Sequence, residues 1–317
     1  MPSSPPTPMS RRTLLGSGLA SGASALALSG DPASAAPETP FRFCLNMSTI
    51  RGQNLDAAGE IEVAGKAGYD AIEPWFRKIE EYLQAGGKLE DLRKRIEDHG
   101  LVVASAIGFA NWIVDDDSER AAGLETARKD MDTIARLGGV RLAAPPAGAK
   151  GPVDLDRAAE RYRALLELGD RMGVVPQIEM WGHSPAIGTV EKALYIAIRA
   201  DHPSACFLGD TYHIYKGGSG IEGLRLLGPK ALLNFHMNDY PADPPRADIK
   251  DEHRVYPGDG VGQVVETLRI FQEIGARPFL SLELFNKSYW AQPAELVART
   301  GLEKMKAVVA KSLQIPS

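Results

Sequence analysis

Four ionisable residues sit where an apolar strand would normally exclude them. Glu179 falls in VVPQIEMWGHS (174–184), Asp210 in ACFLGDTYH (205–213), His236 in LLNFHMND (232–239) and Glu283 in PFLSLELFN (278–286). Burying an isolated carboxylate costs several kcal/mol even after relaxation, so each needs a compensating charge or a place at an exposed, functional end. Brought to one point, three carboxylates repel one another and are driven toward neutrality, and a divalent cation removes that conflict. Three oxygen donors and one imidazole form a fairly hard site. It suits Mn²⁺, Mg²⁺ or Co²⁺ better than a thiolate-rich structural zinc centre would, with Zn²⁺ the remaining candidate. An octahedral ion held by four protein ligands keeps two positions open, enough to chelate adjacent oxygens of a hydroxy-carbonyl compound and acidify the neighbouring C–H. Glu179 and Glu283 would then remove and return the proton through an enediolate, giving epimerisation if they address opposite faces. The plainer alternative for the four is strand-end polarity or buried salt bridges.

That chemistry needs a scaffold that gathers four separate segments. Eight short β-prone runs punctuate the chain, at 41–47, 69–75, 101–109, 140–147, 174–181, 205–210, 232–239 and 278–285. Amphipathic helical segments fill the gaps, and several of them end in Gly, a common left-handed stop. The alternation predicts a single-domain (β/α)8 TIM barrel over residues 36–317, a fold that takes about 250 residues. The four residues then lie at or near the ends of strands five to eight, at the end of the barrel where active sites are built. A doubly wound open sheet is the runner-up, but no Gly-rich phosphate turn follows the first strand, and GGSG (217–220) lacks the dinucleotide spacing.

The 317 residues are 44% hydrophobic and 24% charged, with a net charge of −5 and a pI near 5.8. An acidic chain argues against nucleic-acid and anionic-membrane surfaces, which are bound through clustered Lys and Arg; a small neutral or polar ligand fits better. Residues 1–35 read as a signal peptide, with Arg11 and Arg12 before a short Gly/Ala/Ser/Leu stretch and Ala33-Ser34-Ala35 as the cleavage site. The Arg pair resembles a twin-arginine signal, which implies the Tat translocase as an export partner, a periplasmic or secreted product and no membrane insertion after cleavage. An ordinary secretory signal, or a tail with an accidental Arg pair, is the alternative. Cys44 and Cys206 fall on the first and sixth strands of the expected barrel, too far apart to bridge, and read as two buried free thiols.

The ordered motifs IE (Glu179), LGDTYH (Asp210, His213), FHMND (His236, Asp239), HRVYPGDG (Arg254) and LELF (Glu283) resemble the xylose isomerase-like TIM-barrel superfamily. The likeness is to its sugar isomerase/epimerase group, which includes ketose 3-epimerases, hydroxypyruvate isomerases and inosose isomerases or dehydratases, and it spans residues 40–312. The resemblance implies a metal held by Glu179, Asp210, His236 and Glu283, with Glu179 and Glu283 as the acid/base pair. It also implies substrate oxygens held by His213 and Arg254, and Glu73, after the second strand, resembles the family's frequent Glu there and is a further candidate contact. His183, just past Glu179, reads equally as a substrate contact or as a residue behind the site or at the surface. Export points to a free sugar, keto-sugar or glycoside rather than a sugar phosphate. Trp75, Trp112, Trp181 and Trp290 fall near strand ends, where they would stack on sugar C–H faces or simply pack. The long Pro-rich segment NDYPADPPRADIKDEHRVYPGDG departs from the family pattern and is expected to reshape the pocket. A lyase or dehydratase using the same site, and a non-catalytic carbohydrate-binding protein, are the alternative functions, and a homo-oligomer is compatible with either. A metallohydrolase of the abasic-site nuclease type needs a larger His-rich cluster than six His in an acidic chain supply.

Overall fold

The computed structural model describes residues 39–314; the expected signal segment, residues 1–35, lies outside them. Eight parallel strands follow one another in the order foreseen. They are β1 (Arg42–Asn46), β2 (Ala71–Glu73), β3 (Val102–Val103), β4 (Arg141–Ala144), β5 (Val175–Glu179), β6 (Phe207–Asp210), β7 (Leu232–Met237) and β8 (Phe279–Leu282). Cys44 of β1 pairs with Ala71 of β2 on one side and Ser281 of β8 on the other, so the first and last strands are neighbours. That pairing makes the sheet a (β/α)8 barrel and excludes the doubly wound alternative. The ladder runs β3-β2-β1-β8-β7-β6-β5-β4. Between β3 and β4 the wall is stitched by single bonds, Ala143 N–H to the Ala106 carbonyl (2.9 Å) and Arg141 Nη1 to the Ala104 carbonyl (3.4 Å).

Local chemistry sets the element ends. Asp56, Asp116 and Asp154 each accept a backbone N–H three residues on, opening the helices Ala57–Ala67, Asp117–Arg136 and Leu155–Met172; such caps contribute about 1 kcal/mol each. Gly68 and Gly173 close two helices with φ of 87° and 69°, where a Cβ would be strained. The outer helices turn apolar faces inward, and Leu45, Ile72, Leu166, Ile178, Phe207, Phe235 and Leu280 belong to the continuous core. Cys44 and Cys206 are buried and unpaired, as expected, and burial pushes the Cys206 thiol up to about 12. No helix among the described residues is long and apolar enough to cross a membrane.

One core position carries a testable electrostatic cost. Glu60, on Ala57–Ala67, is 2% exposed, and burial pushes its carboxyl up to about 8 against the opposing pull of Lys78. Between the ordinary carboxylate value and 8 the folded chain holds this proton and the unfolded chain does not, so stability falls as pH rises through that window. Glu60→Gln is expected to gain roughly 2–4 kcal/mol at pH 8.5 relative to pH 5, compared with the parent. Melts of both proteins at the two pH values check it; parallel curves would refute it.

Candidate active site

The strands deliver their odd residues to one end of the barrel. Glu179 and Asp210 are the last residues of β5 and β6, His236 is the penultimate residue of β7, and Glu283 immediately follows β8. Register places His236 beside Asp210 on one side and Ser281 on the other. From His236 Nδ1 the carboxylate oxygens of Glu283, Glu179 and Asp210 stand at 3.3, 3.7 and 3.8 Å. Ligand atoms of Asp210, His236 and Glu283 all lie within 4.8 Å of one another. Glu179 reaches the imidazole but stands outside that mutual set.

The donor set fits a divalent cation. His236 Nε2 lies 3.0 Å from Glu73 Oε2, while its Nδ1, fully buried, has no hydrogen-bond partner. A carboxylate can only accept, so Glu73 fixes a proton on Nε2 and leaves Nδ1 facing three carboxylates, where a second proton or a cation would sit. This carboxylate–imidazole pairing is the usual way to orient a metal-binding histidine. Glu73 is held in turn by Ser281 Oγ (2.6 Å) and Asn46 Nδ2 (2.9 Å). Expected among the substrate contacts, Glu73 is instead fully buried behind His236 and outside the cavity lining, enclosed by its bonds to His236, Ser281 and Asn46.

Electrostatics pull the carboxylates apart. Burial, opposed by His236 and reinforced by Glu283 and Asp210, pushes Glu179 up to about 8. Glu283 is just as deeply buried, but His236 and Arg254 outweigh that and hold it well below the usual carboxylate range. Asp210 is raised to about 6 by burial, with Arg254 opposing. Burial works against the charged form of His236, yet Glu283 and Glu73 prevail and raise its pKa well above the ordinary value.

Arg254 is the surprise of the site. Expected to hold substrate oxygens, with a solvated loop ion pair as the alternative, it is 1% exposed. Its Nη1 donates at 2.8 Å to both Asp210 and Glu283, and its Nη2 reaches Asp251 and His213. Its guanidinium also stacks over Tyr212 at 4.5 Å and Phe285 at 5.0 Å. The Pro-rich loop carries it there, clasped by Asp239. That carboxylate accepts the backbone N–H groups of Tyr240, Gly258, Gly260 and Gly262, and Asp239 and Val255 pair as a bridge. A Cβ on Gly260 would stand 2.3 Å from the Tyr240 carbonyl oxygen, so the clasp requires glycine there.

Above the cluster opens a cavity of about 610 Å³. Glu179, Glu283, His213, His183 and Arg254 line it, whereas Asp210, His236 and Glu73 lie under its floor. His213 is kept neutral by burial and by Arg254. Its Nδ1 faces the Gly182 N–H at 3.2 Å and its Nε2 faces Arg254 at 3.0 Å; a neutral imidazole accepts at only one of these. His183 stacks on Trp181 with 5.7 Å between rings. Trp75, Trp181 and Trp290 line the cavity, but Trp112 does not. It is 1% exposed, packs on Tyr162 and donates to the Pro145 carbonyl at 2.7 Å, a core role. Sequence reasoning missed Asn46, whose amide binds Glu73 and also Glu283 (3.2 Å). The signal for it in the sequence is a polar residue ending the apolar run FRFCLN.

A family model described as xylose isomerase-like TIM barrel matches residues 61–308. Inosose isomerase from Bacillus velezensis is 28% identical over 279 residues, covering 86% of this chain and 98% of the relative. The 3-dehydroshikimate dehydratase of Pseudomonas aeruginosa is 24% identical over 248 residues, 78% of this chain but 39% of that protein. A crystal structure of IOLI protein with a binding zinc atom superposes with a TM-score of 0.80 at 25% identity, covering 87% of this chain and all of that one.

Proposed function

The chain belongs to the xylose isomerase-like TIM barrel family, and from that premise we propose that it is a metal-dependent isomerase or epimerase of a sugar, keto-sugar or related polyol ketone. One observation carries the reading. Two carboxylates from separate strands, Glu179 and Glu283, flank a buried imidazole whose Nδ1 is unpartnered and whose Nε2 is locked by Glu73. Asp210, His236 and Glu283, joined by Glu179, would hold the cation, with Mn²⁺, Mg²⁺, Co²⁺ and Zn²⁺ as candidates; the zinc in the IOLI structure supports a divalent ion. When bound, the cation supplies Lewis-acid polarisation of a substrate carbonyl.

The chain's own residues do the rest. Glu179 and Glu283, from separate strands, would remove and return the proton on the carbon beside the carbonyl. His213 and Arg254 hold substrate oxygens at the floor, and His183 closes the wall beside them. The likeness to an inosose isomerase supports a polyol ketone as substrate. The likeness to a dehydratase favours a second reading, in which the same proton abstraction is followed by loss of a β-leaving group. We further propose that residues 1–35 direct Tat-dependent export of the barrel, residues 36–317, to the periplasm or beyond. Arg11, Arg12 and Ala33-Ser34-Ala35 support that reading.

Incubating cation-loaded protein with inososes, free ketoses and keto-glycosides in D₂O tests the assignment. Deuterium is expected at the carbon next to the carbonyl, with an epimer or isomer as product. An eliminated fragment would move the protein to the lyase reading, and no exchange with any of the panel would remove the proton-transfer function.

A further inference from the structure

The cavity over the cluster has two walls of different chemistry. One carries His213, Asp251, Lys250 and Glu252; the other is built from Ile107, Trp75, Phe109 and Phe285. Phe109 is 48% exposed and lines the cavity. Its ring lies 5.4 Å from Trp75 and 6.2 Å from Trp181, and Trp75 lies 6.2 Å from Phe285, so the rings form a continuous strip. Arg51 holds the end of the strip, its guanidinium 5.3 Å from the rings of Trp75 and Phe285.

That strip offers flat carbon faces, and the Arg51 guanidinium is a polar neighbour in the cavity at its Trp75–Phe285 end. The indole N–H of Trp75 is spent on Asn46 Oδ1 at 2.9 Å, and Phe109, Phe285 and Ile107 have no polar side-chain atom. Hydroxyls of a second sugar lying over Phe109 and Ile107, away from Arg51, would lose water and gain no side-chain partner there. A planar apolar ring would lose nothing and would stack. Volume agrees. At about 610 Å³ the cavity falls within the range of roughly 300–1,000 Å³ of pockets that take ligands larger than one sugar ring.

We propose that the Trp75–Phe109–Phe285 strip is a binding site for a planar aromatic substituent, so that the substrate is an aryl glycoside of a keto-sugar rather than a free monosaccharide. This rests on reading the barrel mouth as a keto-sugar site. The polar floor takes the sugar, and the strip takes the aglycone.

Calorimetric titration of the full chain with phenyl β-glucopyranoside and methyl β-glucopyranoside tests the site without any turnover. The phenyl ligand is expected to bind about tenfold more tightly. Phe109→Ala should bring the two ligands within about twofold of each other, and Phe109→Trp should restore the preference. Phe109 is exposed, so its truncation leaves the core intact. Equal binding of the two ligands by the parent, no saturable binding of the phenyl ligand, or a preference that survives Phe109→Ala would each overturn the proposal. Because neither ligand carries a carbonyl, the outcomes separate. A phenyl preference in a protein inert toward keto-sugars would keep the aryl site and refute the enzymatic reading. Turnover of free keto-sugars with no phenyl preference would do the reverse.

Discussion

Glu179→Gln is expected to lower kcat by roughly 10²–10⁴-fold with KM changed by only a few-fold, the range lost when a positioned acid or base is removed. Glu179 makes no hydrogen bond to any described residue, and its nearest polar atom of note is His236 Nδ1 at 3.7 Å. The amide therefore replaces the acid without breaking a network, and folding should be unaffected. Glu283→Gln should cost as much, with a second consequence. Glu283 accepts from Arg254 and Asn46, so its replacement also loosens the cluster that holds the cation. Metal content measured beside kcat separates the two variants: reduced slightly in Glu179→Gln, since Glu179 stands outside the tight set of Asp210, His236 and Glu283, and reduced further in Glu283→Gln. Both variants retaining parental exchange of substrate hydrogen would take these carboxylates out of the mechanism.

Removal of the cation is the second large effect. Protein stripped with a chelator is expected to lose turnover to background, and to regain it with one of the four candidate ions. Glu73→Gln should reproduce part of this, weakening cation affinity about 10–100-fold, as loss of a carboxylate behind a metal-binding histidine does elsewhere. The cause is local. Glu73 Oε2 accepts from His236, Ser281 and Asn46, and a neutral amide there no longer supports the basicity of Nδ1. Activity of Glu73→Gln should recover at saturating cation, whereas Glu179→Gln should not. Protein purified without chelators that is fully active yet free of divalent cation on elemental analysis would sink the account.

The strands were legible because buried parallel strands read as short apolar runs, and all eight observed strands fall inside the runs seen in the sequence. Glu179, Asp210, His236 and Glu283 were legible for the same reason, since a charge inside such a run is costly wherever it has no purpose. Glu73 was legible as a residue but not in its role, which depends on its contact with His236, 163 residues away. Trp112 shows the converse. A tryptophan near a strand end looks like a sugar platform, but Trp112 is turned into the core against Tyr162. The depth of a side chain below the barrel mouth is not encoded in its spacing.

Composition, apolar runs and misplaced charges by themselves determined the barrel, the four residues at its mouth and the hard, oxygen-rich character of their chemistry. Each of those follows from desolvation costs and backbone periodicity, which act locally along the chain. Only the tertiary structure decided that Glu73 supports His236 from below, that Arg254 bridges Asp210 and Glu283, that Asp239 clasps the loop bringing it there, and that Phe109 joins an aromatic strip. Those are contacts between segments far apart in the chain, 163 residues for His236 with Glu73. Barrel closure and the register of its strands select them, and no local pattern in the chain records that selection.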